Sequence, residues 1–280
     1  MVVTMRDMRQ ALDSFCIEKD AILLTHCSLK ALGHIEGGPE AVIQAIEDTV
    51  PEGTVVFPTF SQKNFETVLE DWHMDRPSDV GRITEIFRLQ PGSLRSDNPT
   101  HSVAARGKHA ADLVAGHATG KGRYSPFCDL SFGYESPWQR MLDSETRYGV
   151  PCYVLLWGVS TARNTMKHFA EHRSVERLLN AIKDDEKRQE MLLRLEHNPP
   201  VEAPEGVKQI CPFFKARFLE PMLFERGIAR KVSLGEGELI LCNVQTMIPF
   251  MEYMLENHPE QIFENQDALA WFTQAIEYAK

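Results

Sequence analysis

The chain has 280 residues, 43% hydrophobic, 25% charged and 9% aromatic, which excludes a disordered, collagenous or coiled-coil protein. Thirty Lys and Arg against 40 Asp and Glu leave a formal charge of −10. That balance argues against nucleic-acid or anionic-membrane partners, which need a basic field, and suits a cationic small molecule. The opening stretch Met1–Gln10 carries Arg6, Asp7 and Arg9, and no apolar leader core follows. The longest apolar run, Val150–Val159, is far short of the ~18–20 residues of a membrane helix. Six scattered cysteines (Cys16, Cys27, Cys128, Cys152, Cys211 and Cys242) include no C-x-x-C pair, so reduced thiols and a cytoplasmic location are expected.

In chain order, residues 5–18 put Met5, Met8, Leu12 and Phe15 on one helical stripe. Ala21–Thr25 has strand length and runs straight into His26-Cys27-Ser28. Pro39 begins a helix to about Thr49, and Thr54–Phe57 is a second buried-type strand. This strand–loop–helix–strand order marks an α/β protein. The expected architecture is a central mixed sheet flanked by helices. The stretch 58–80 reads as a long loop, 81–89 as a short helix, and 91–103 as turn-rich. Residues 120–138, rich in Gly, Ser, Pro and aromatics, suggest a binding loop rather than packing. Pro151–Val159 is the most apolar strand, followed by a helix from about Met166. A charged helical stretch, Val175–His197, ends at Pro199-Pro200. Its Leu179, Ile182, Met191, Leu192 and Leu195 supply an apolar stripe, so it is expected as a helical hairpin docked on the body, an insertion spanning about 175–210 of a single domain, 1–280. Helices at 213–226, 247–256 and 267–278 and a strand pair across 228–244 complete the expectation.

Three stretches could carry chemistry. Thr25–Gly33 follows a strand, where α/β proteins present backbone N–H groups to phosphates. It is equally a turn that needs small residues, and Cys27 within it is a candidate nucleophile. Asn98-Pro99-Thr100-His101-Ser102 can orient a thioester or phosphate, or satisfy its own loop backbone. In Asn164–His172, positions 168, 171 and 172 share a helical face. A carboxylate three residues from an imidazole suits a general-base pair. The same H-x-x-E-H spacing is the inverted zincin pattern, and it also fits a surface helix with two imidazoles and an acid. His34, His73, His109, His117, His197 and His258 read as surface or core fillers, and Trp157 as core.

Taken in order, four blocks resemble the aminoglycoside 3-N-acetyltransferase family: THCSLKALGHIEGGPEAVIQAI (25–46), EGTVVFPTF (52–60), GRITEIFRLQPGSLRSDNPTHSVAARG (81–107), and FGYESPWQRM with YVLLWGVSTARNTMKHFAEHR within 132–173. The resemblance covers roughly 20–173, more weakly 213–255. It implies an acetyl-CoA-dependent N-acyltransferase on an α/β fold distinct from the GNAT fold, acting on the 3-amino group of a 2-deoxystreptamine aminoglycoside or a related amine. It implies His168 as catalytic base and Glu171 as its partner. It also implies His26, Cys27, Ser28, Leu29, Thr100, His101 and Ser102 along coenzyme A, and Glu135 on the acceptor side. Direct transfer in a ternary complex follows, with donors for the developing oxyanion in the 26–28 turn or from Thr100 and Ser102. No metal is expected, and the chain is expected as a monomer or homodimer.

Three departures stand out. Cys27 replaces the family's usual Ser, a thiol being the weaker donor. His172 directly follows Glu171. The charged stretch 175–210 replaces a shorter link and leaves the acceptor open. The rival expectations are a zinc hydrolase using His168, Glu171 and His172, a ping-pong transferase acylated on Cys27, and a non-catalytic coenzyme A-binding protein.

Overall fold

Seven strands form one mixed sheet in the computed structural model, which describes residues 2–61, 69–198 and 202–280. In chain order the strands are β1 (Val2–Val3), β2 (Ile22–Cys27), β3 (His34–Ile35), β4 (Thr54–Pro58), β5 (Leu94–Arg95), β6 (Val103–Gly107), β7 (Cys152–Trp157), β8 (Ala229–Leu234) and β9 (Gly237–Asn243). The main sheet runs β5-β6-β4-β2-β7-β9-β8, and β1 pairs with β3 in a separate two-stranded ribbon. The central strands β4, β2 and β7 are parallel, while both outer pairs of strands are antiparallel additions.

Both faces of the central strands are buried, which is why β2 and β7 read as unbroken apolar runs rather than alternating ones. Ile22 and Leu24 of β2, with Val154 and Leu156 of β7, pack into one core layer. Leu23, Leu155 and Trp157 point into the other, beneath the helices Met5–Asp13 and Gly38–Thr49. The first helix starts at a capping box: Thr4 Oγ1 accepts from the Asp7 N–H (3.3 Å), and Asp7 Oδ2 accepts from the Thr4 N–H (2.9 Å). It stops at Asp13, short of the expected 18, and Cys16 beyond it takes a left-handed φ of 53°.

Three further differences from the sequence expectation have local causes. The 91–103 stretch contains strands: β5 and β6 form an antiparallel pair, and Asn98-Pro99-Thr100-His101 sits at its tip. There Asn98 Oδ1 accepts from the N–H groups of Thr100 (3.1 Å) and His101 (2.7 Å), an Asx turn that propensity reads only as loop. The 120–138 loop packs: Arg123, Ser125, Ser131 and Phe132 are buried, and Arg123 donates to the Phe132 carbonyl (2.7 Å) and pairs with Glu176 (2.6 Å). The charged stretch breaks into two helices, and the first is not an element of its own. Residues 175–181 finish the helix that begins at Met166, Ile182 is buried at the break, and Asp184 caps a second helix, Asp185–Leu193. Residues 62–68 of the expected 58–80 loop, and Pro199-Pro200, lie outside the described residues. Among the described residues no helix is long and apolar enough to cross a membrane.

Candidate functional site

The carboxyl ends of β2, β4 and β7 open into a cleft of about 1140 Å³. The chain leaves β2 towards β4 on one side, while β7 lies on the other, so the cleft sits where open α/β sheets take ligands. His26, Cys27, Ser28 and Leu29 line it from β2 and the turn that follows, Gly158 and Arg163–Thr165 from the end of β7, and Phe60 from the end of β4. Lys30, Arg82, Arg163 and Lys167 bring four cations to its walls, against Asp79 as the only lining carboxylate among the described residues.

His168 lies in the first turn of the Met166–Ala181 helix and faces this cleft. That helix starts where it does because Asn164 Oδ1 accepts from the Met166 N–H (3.0 Å), and Asn164 Nδ2 also meets Met247 Sδ (3.3 Å). One turn on, Glu171 is fully buried and held at both oxygens. Oε2 accepts from His168 Nδ1 (2.7 Å), and Oε1 accepts from the backbone N–H of Phe214 (2.9 Å). With Nδ1 committed to a carboxylate, the lone pair belongs to Nε2, which has no protein partner among the described residues. Phe213 (4.5 Å between ring centroids) and Phe127 (6.0 Å) wall the imidazole.

The other predicted residues divide. His26, Cys27, Ser28, Leu29 and His101 line the same cleft as His168. His26 is buried, and burial lowers its pKa to about 3, so the imidazole is neutral; its Nε2 accepts a long bond (3.5 Å) from the Thr165 N–H at the start of the His168 helix. Burial pushes the Cys27 thiol up to about 12. A thiol so protonated is a poor nucleophile, which weighs against a ping-pong route. Ser28 makes no side-chain cap to the 3₁₀ turn Leu29–Leu32. Its hydroxyl and the first N–H groups of that turn therefore do not satisfy one another.

Thr100, Ser102 and Glu135 are not brought to the cleft. Thr100 Oγ1 is bonded to Ser131 Oγ (2.5 Å) and Asn98 Oδ1 (3.2 Å), and Ser102 Oγ donates to the Thr59 carbonyl (2.8 Å), all behind the wall. Glu135 pairs with Arg140 (2.8 Å) at the start of the Pro137–Leu142 helix. The two hydroxyls are thus engaged in structural bonds, and the Glu135 carboxylate, although paired with Arg140, stays about half exposed.

His172, the zincin lookalike, is fully buried among Phe132, Phe127, Phe213 and Tyr124, and neither ring nitrogen has a partner among the described residues. Glu171 is spent on His168 and Phe214, and among the described residues no three His, Cys, Asp or Glu side chains are placed to hold one metal. Sequence reasoning missed Phe213 and Phe214, which come from a loop far along the chain, and the cations Lys30, Arg82, Arg163 and Lys167. Lys167 was visible beside His168. The others lacked any spacing that links them.

Together the sheet and the site define an α/β protein with an oriented histidine–glutamate pair at the edge of a ligand-sized, cation-walled cleft. Residues 24–256 match the family described as aminoglycoside 3-N-acetyltransferase, and the chain belongs to that family. The SPbeta prophage-derived aminoglycoside N(3')-acetyltransferase-like protein YokD of Bacillus subtilis (strain 168) is 30% identical over 192 residues, 61% of this chain and 65% of that protein. Aminoglycoside N(3)-acetyltransferase III of Pseudomonas aeruginosa is 28% identical over 191 residues, 62% of this chain and 65% of the relative. The chain thus spans just under two thirds of the length of these curated relatives. Solved structures of similar fold include the apoenzyme of aminoglycoside acetyltransferase AAC(3)-IVa (TM-score 0.67, 18% identity, 98% of each chain). AAC-IIIb in a binary complex with CoASH is another (TM-score 0.67, 20% identity, 95% of this chain and 99% of that one).

Proposed function

We propose that the chain is a single-domain, acetyl-CoA-dependent N-acetyltransferase, with His168 as general base. The observation that carries this reading is the His168–Glu171–Phe214 chain of hydrogen bonds at the cleft. Acetyl-CoA, when bound, supplies the acetyl thioester. The cleft fits it: four cations suit phosphates, the 3₁₀ turn Leu29–Leu32 starts without a side-chain cap beside β2, and Phe60, Phe127 and His101 offer an apolar lining for a pantetheine arm.

In this mechanism His168 Nε2 takes the proton from the attacking amine while Glu171 keeps Nδ1–H in place and balances the charge gained. A base so oriented is worth ~10²–10⁴ in rate. His26 stays neutral and ties the end of β2 to the base-bearing helix. The burial of Glu171 fixes the imidazole's orientation, because a carboxylate held at both oxygens cannot swing with the loop. The acceptor is an amine. The relatives' names point to the 3-amino group of a 2-deoxystreptamine aminoglycoside, and the chain's net charge of −10 suits such a polycation.

The test is thiol release from acetyl-CoA by purified protein with a panel of 2-deoxystreptamine aminoglycosides and simpler amines, alongside His168→Ala. Turnover that falls ~10²–10⁴-fold in the variant, with coenzyme A binding retained, is the expected result. Binding without turnover by any acceptor would leave a non-catalytic coenzyme A-binding protein. Failure to bind coenzyme A at all would refute the transferase reading.

A further inference from the structure

Arg95 stands outside the cleft, yet its guanidinium ties together three segments that line it. Nε donates to Ser102 Oγ (3.3 Å), one Nη donates to the carbonyls of Met74 (2.8 Å) and Arg76, and the other donates to the Thr59 carbonyl (2.5 Å) and Ser61 Oγ (3.2 Å). These five bonds match the five N–H donors of the guanidinium. Its face lies over the Trp72 ring (4.7 Å), and Trp72 Nε1 in turn donates to Asp97 Oδ1 (2.7 Å), two residues from Arg95.

Each segment held this way leads directly into the cleft. Thr59 and Ser61 flank Phe60. Ser102 follows His101, whose ring packs on Phe60 (4.7 Å) and Phe127 (4.5 Å). Met74 and Arg76 precede the run Asp79–Thr84 that forms one cleft wall. That run is pinned further by Ser61 Oγ donating to the Pro77 carbonyl (2.8 Å) and by the Asp79 N–H donating to the Phe60 carbonyl (2.9 Å).

No carboxylate among the described residues forms a direct ion pair with Arg95. A partly buried guanidinium spent wholly on carbonyls and hydroxyls is an expensive way to make a loop. Lysine, with three donors on one nitrogen, cannot span the same set.

We propose that Arg95 is a positioning residue that holds the 72–84 segment against the ends of β4 and β6, and so shapes the wall on which coenzyme A binds. This rests on the acetyl-CoA reading of the cleft. It predicts an effect on cofactor binding and not on proton transfer, because Arg95 touches neither His168 nor Glu171.

The experiment is titration calorimetry of coenzyme A with full-length wild type, Arg95→Lys and Arg95→Ala, followed by steady-state kinetics in acetyl-CoA. Expected are dissociation constants and acetyl-CoA KM values about tenfold or more higher in both variants, or about 1.4 kcal/mol at least, with kcat at saturation within about threefold of wild type. Guanidinium ion at concentrations far below denaturing restores binding to Arg95→Ala and leaves the wild type unchanged. Unchanged binding in folded Arg95→Lys overturns the proposal, as does a fall in kcat with KM constant. If the Arg95 variants do not fold, Ser61→Ala decides, since it removes two bonds of the same strap: a raised KM supports the proposal and an unchanged KM overturns it. If wild type itself fails to bind coenzyme A, the reading of the cleft fails, an outcome distinct from equal binding by wild type and variants.

Discussion

At the scale of single residues, the His168–Glu171 pair is legible in sequence as a spacing, but its roles are set by what else Glu171 bonds. Because Oε1 is taken by the Phe214 N–H, only Oε2 faces the imidazole. Glu171→Gln is therefore an unusually clean probe. Its amide oxygen keeps the Phe214 bond, which turns the NH₂ towards His168 Nδ1. That donor forces the proton onto Nε2, where the proposed mechanism needs the lone pair. The expected outcome is a loss of ~10²–10⁴ in kcat with little change in the urea unfolding midpoint, as one donor–acceptor pair replaces another. Stopped-flow turnover and equilibrium unfolding on the same preparation check both halves. A variant with wild-type kcat would show that the tautomer is not controlled by Glu171.

At the scale of elements, the site is a junction of strand ends, and its tightest point is Gly158 after β7. Gly158 has φ of 62°, and a Cβ there would stand 2.9 Å from the Ser28 carbonyl oxygen and 3.0 Å from Ala31 Cβ. Both neighbours belong to the turn that follows β2 and lines the cleft. Gly158→Ala is expected to cost about 1–2 kcal/mol in stability from the left-handed backbone and the crowding. It should also raise the KM for acetyl-CoA more than it lowers kcat, because the displaced turn carries Ser28 and Leu29 and not the proposed base, His168. Denaturant unfolding and a kcat–KM split measure the two effects. The helix that carries His168 shows the same logic from the other side. It runs on to Ala181, so the first part of the charged stretch stiffens the helix that carries His168, and the break comes only at Ile182.

For the whole molecule, buried imidazoles set a pH window for stability. Burial lowers His26 to about 3 and His117 to about 4, and holds His101 and His172 well below their ordinary value. Unfolded histidines titrate near ~6.5, so between that pH and the folded values the unfolded chain binds more protons. Stability is therefore whole above about pH 6.5 and is lost as pH falls through that value, because each of the four groups takes up its proton only on unfolding. The thiols work at the other end. Burial raises Cys27, Cys211 and Cys242 to about 12, against roughly 8.5 unfolded, so stability also declines as pH rises above that value. Urea unfolding from pH 4.5 to 9.5 should give a plateau between about 6.5 and 8.5. His172→Phe, which replaces an imidazole with no partner at either nitrogen by a ring suited to its aromatic cage, should be at least as stable at pH 7 and shed about one group's share of the acid slope. A wild-type curve flat to pH 5 would show that these imidazoles are solvated.

Sequence alone determined much of the frame. Apolar runs at Ala21–Thr25, Thr54–Phe57 and Pro151–Val159 had to be buried strands, since nothing else of that length hides so much hydrocarbon, and the helical spacing of His168 and Glu171 had to place them together. The ordered blocks likewise carried the family. Tertiary structure decided what local pattern does not encode. Thr100 and Ser102 look like ligands in the chain, but the pairing of β5 with β6 turns their hydroxyls inward to Ser131 and Thr59. Phe214 reaches Glu171 across 43 residues, and Arg95 joins β4, the 72–84 segment and Ser102 through bonds no spacing predicts. Propensity and periodicity report the forces along the chain. Which hydroxyl is spent on structure and which nitrogen is left for chemistry depends on partners that only folding brings within hydrogen-bond reach.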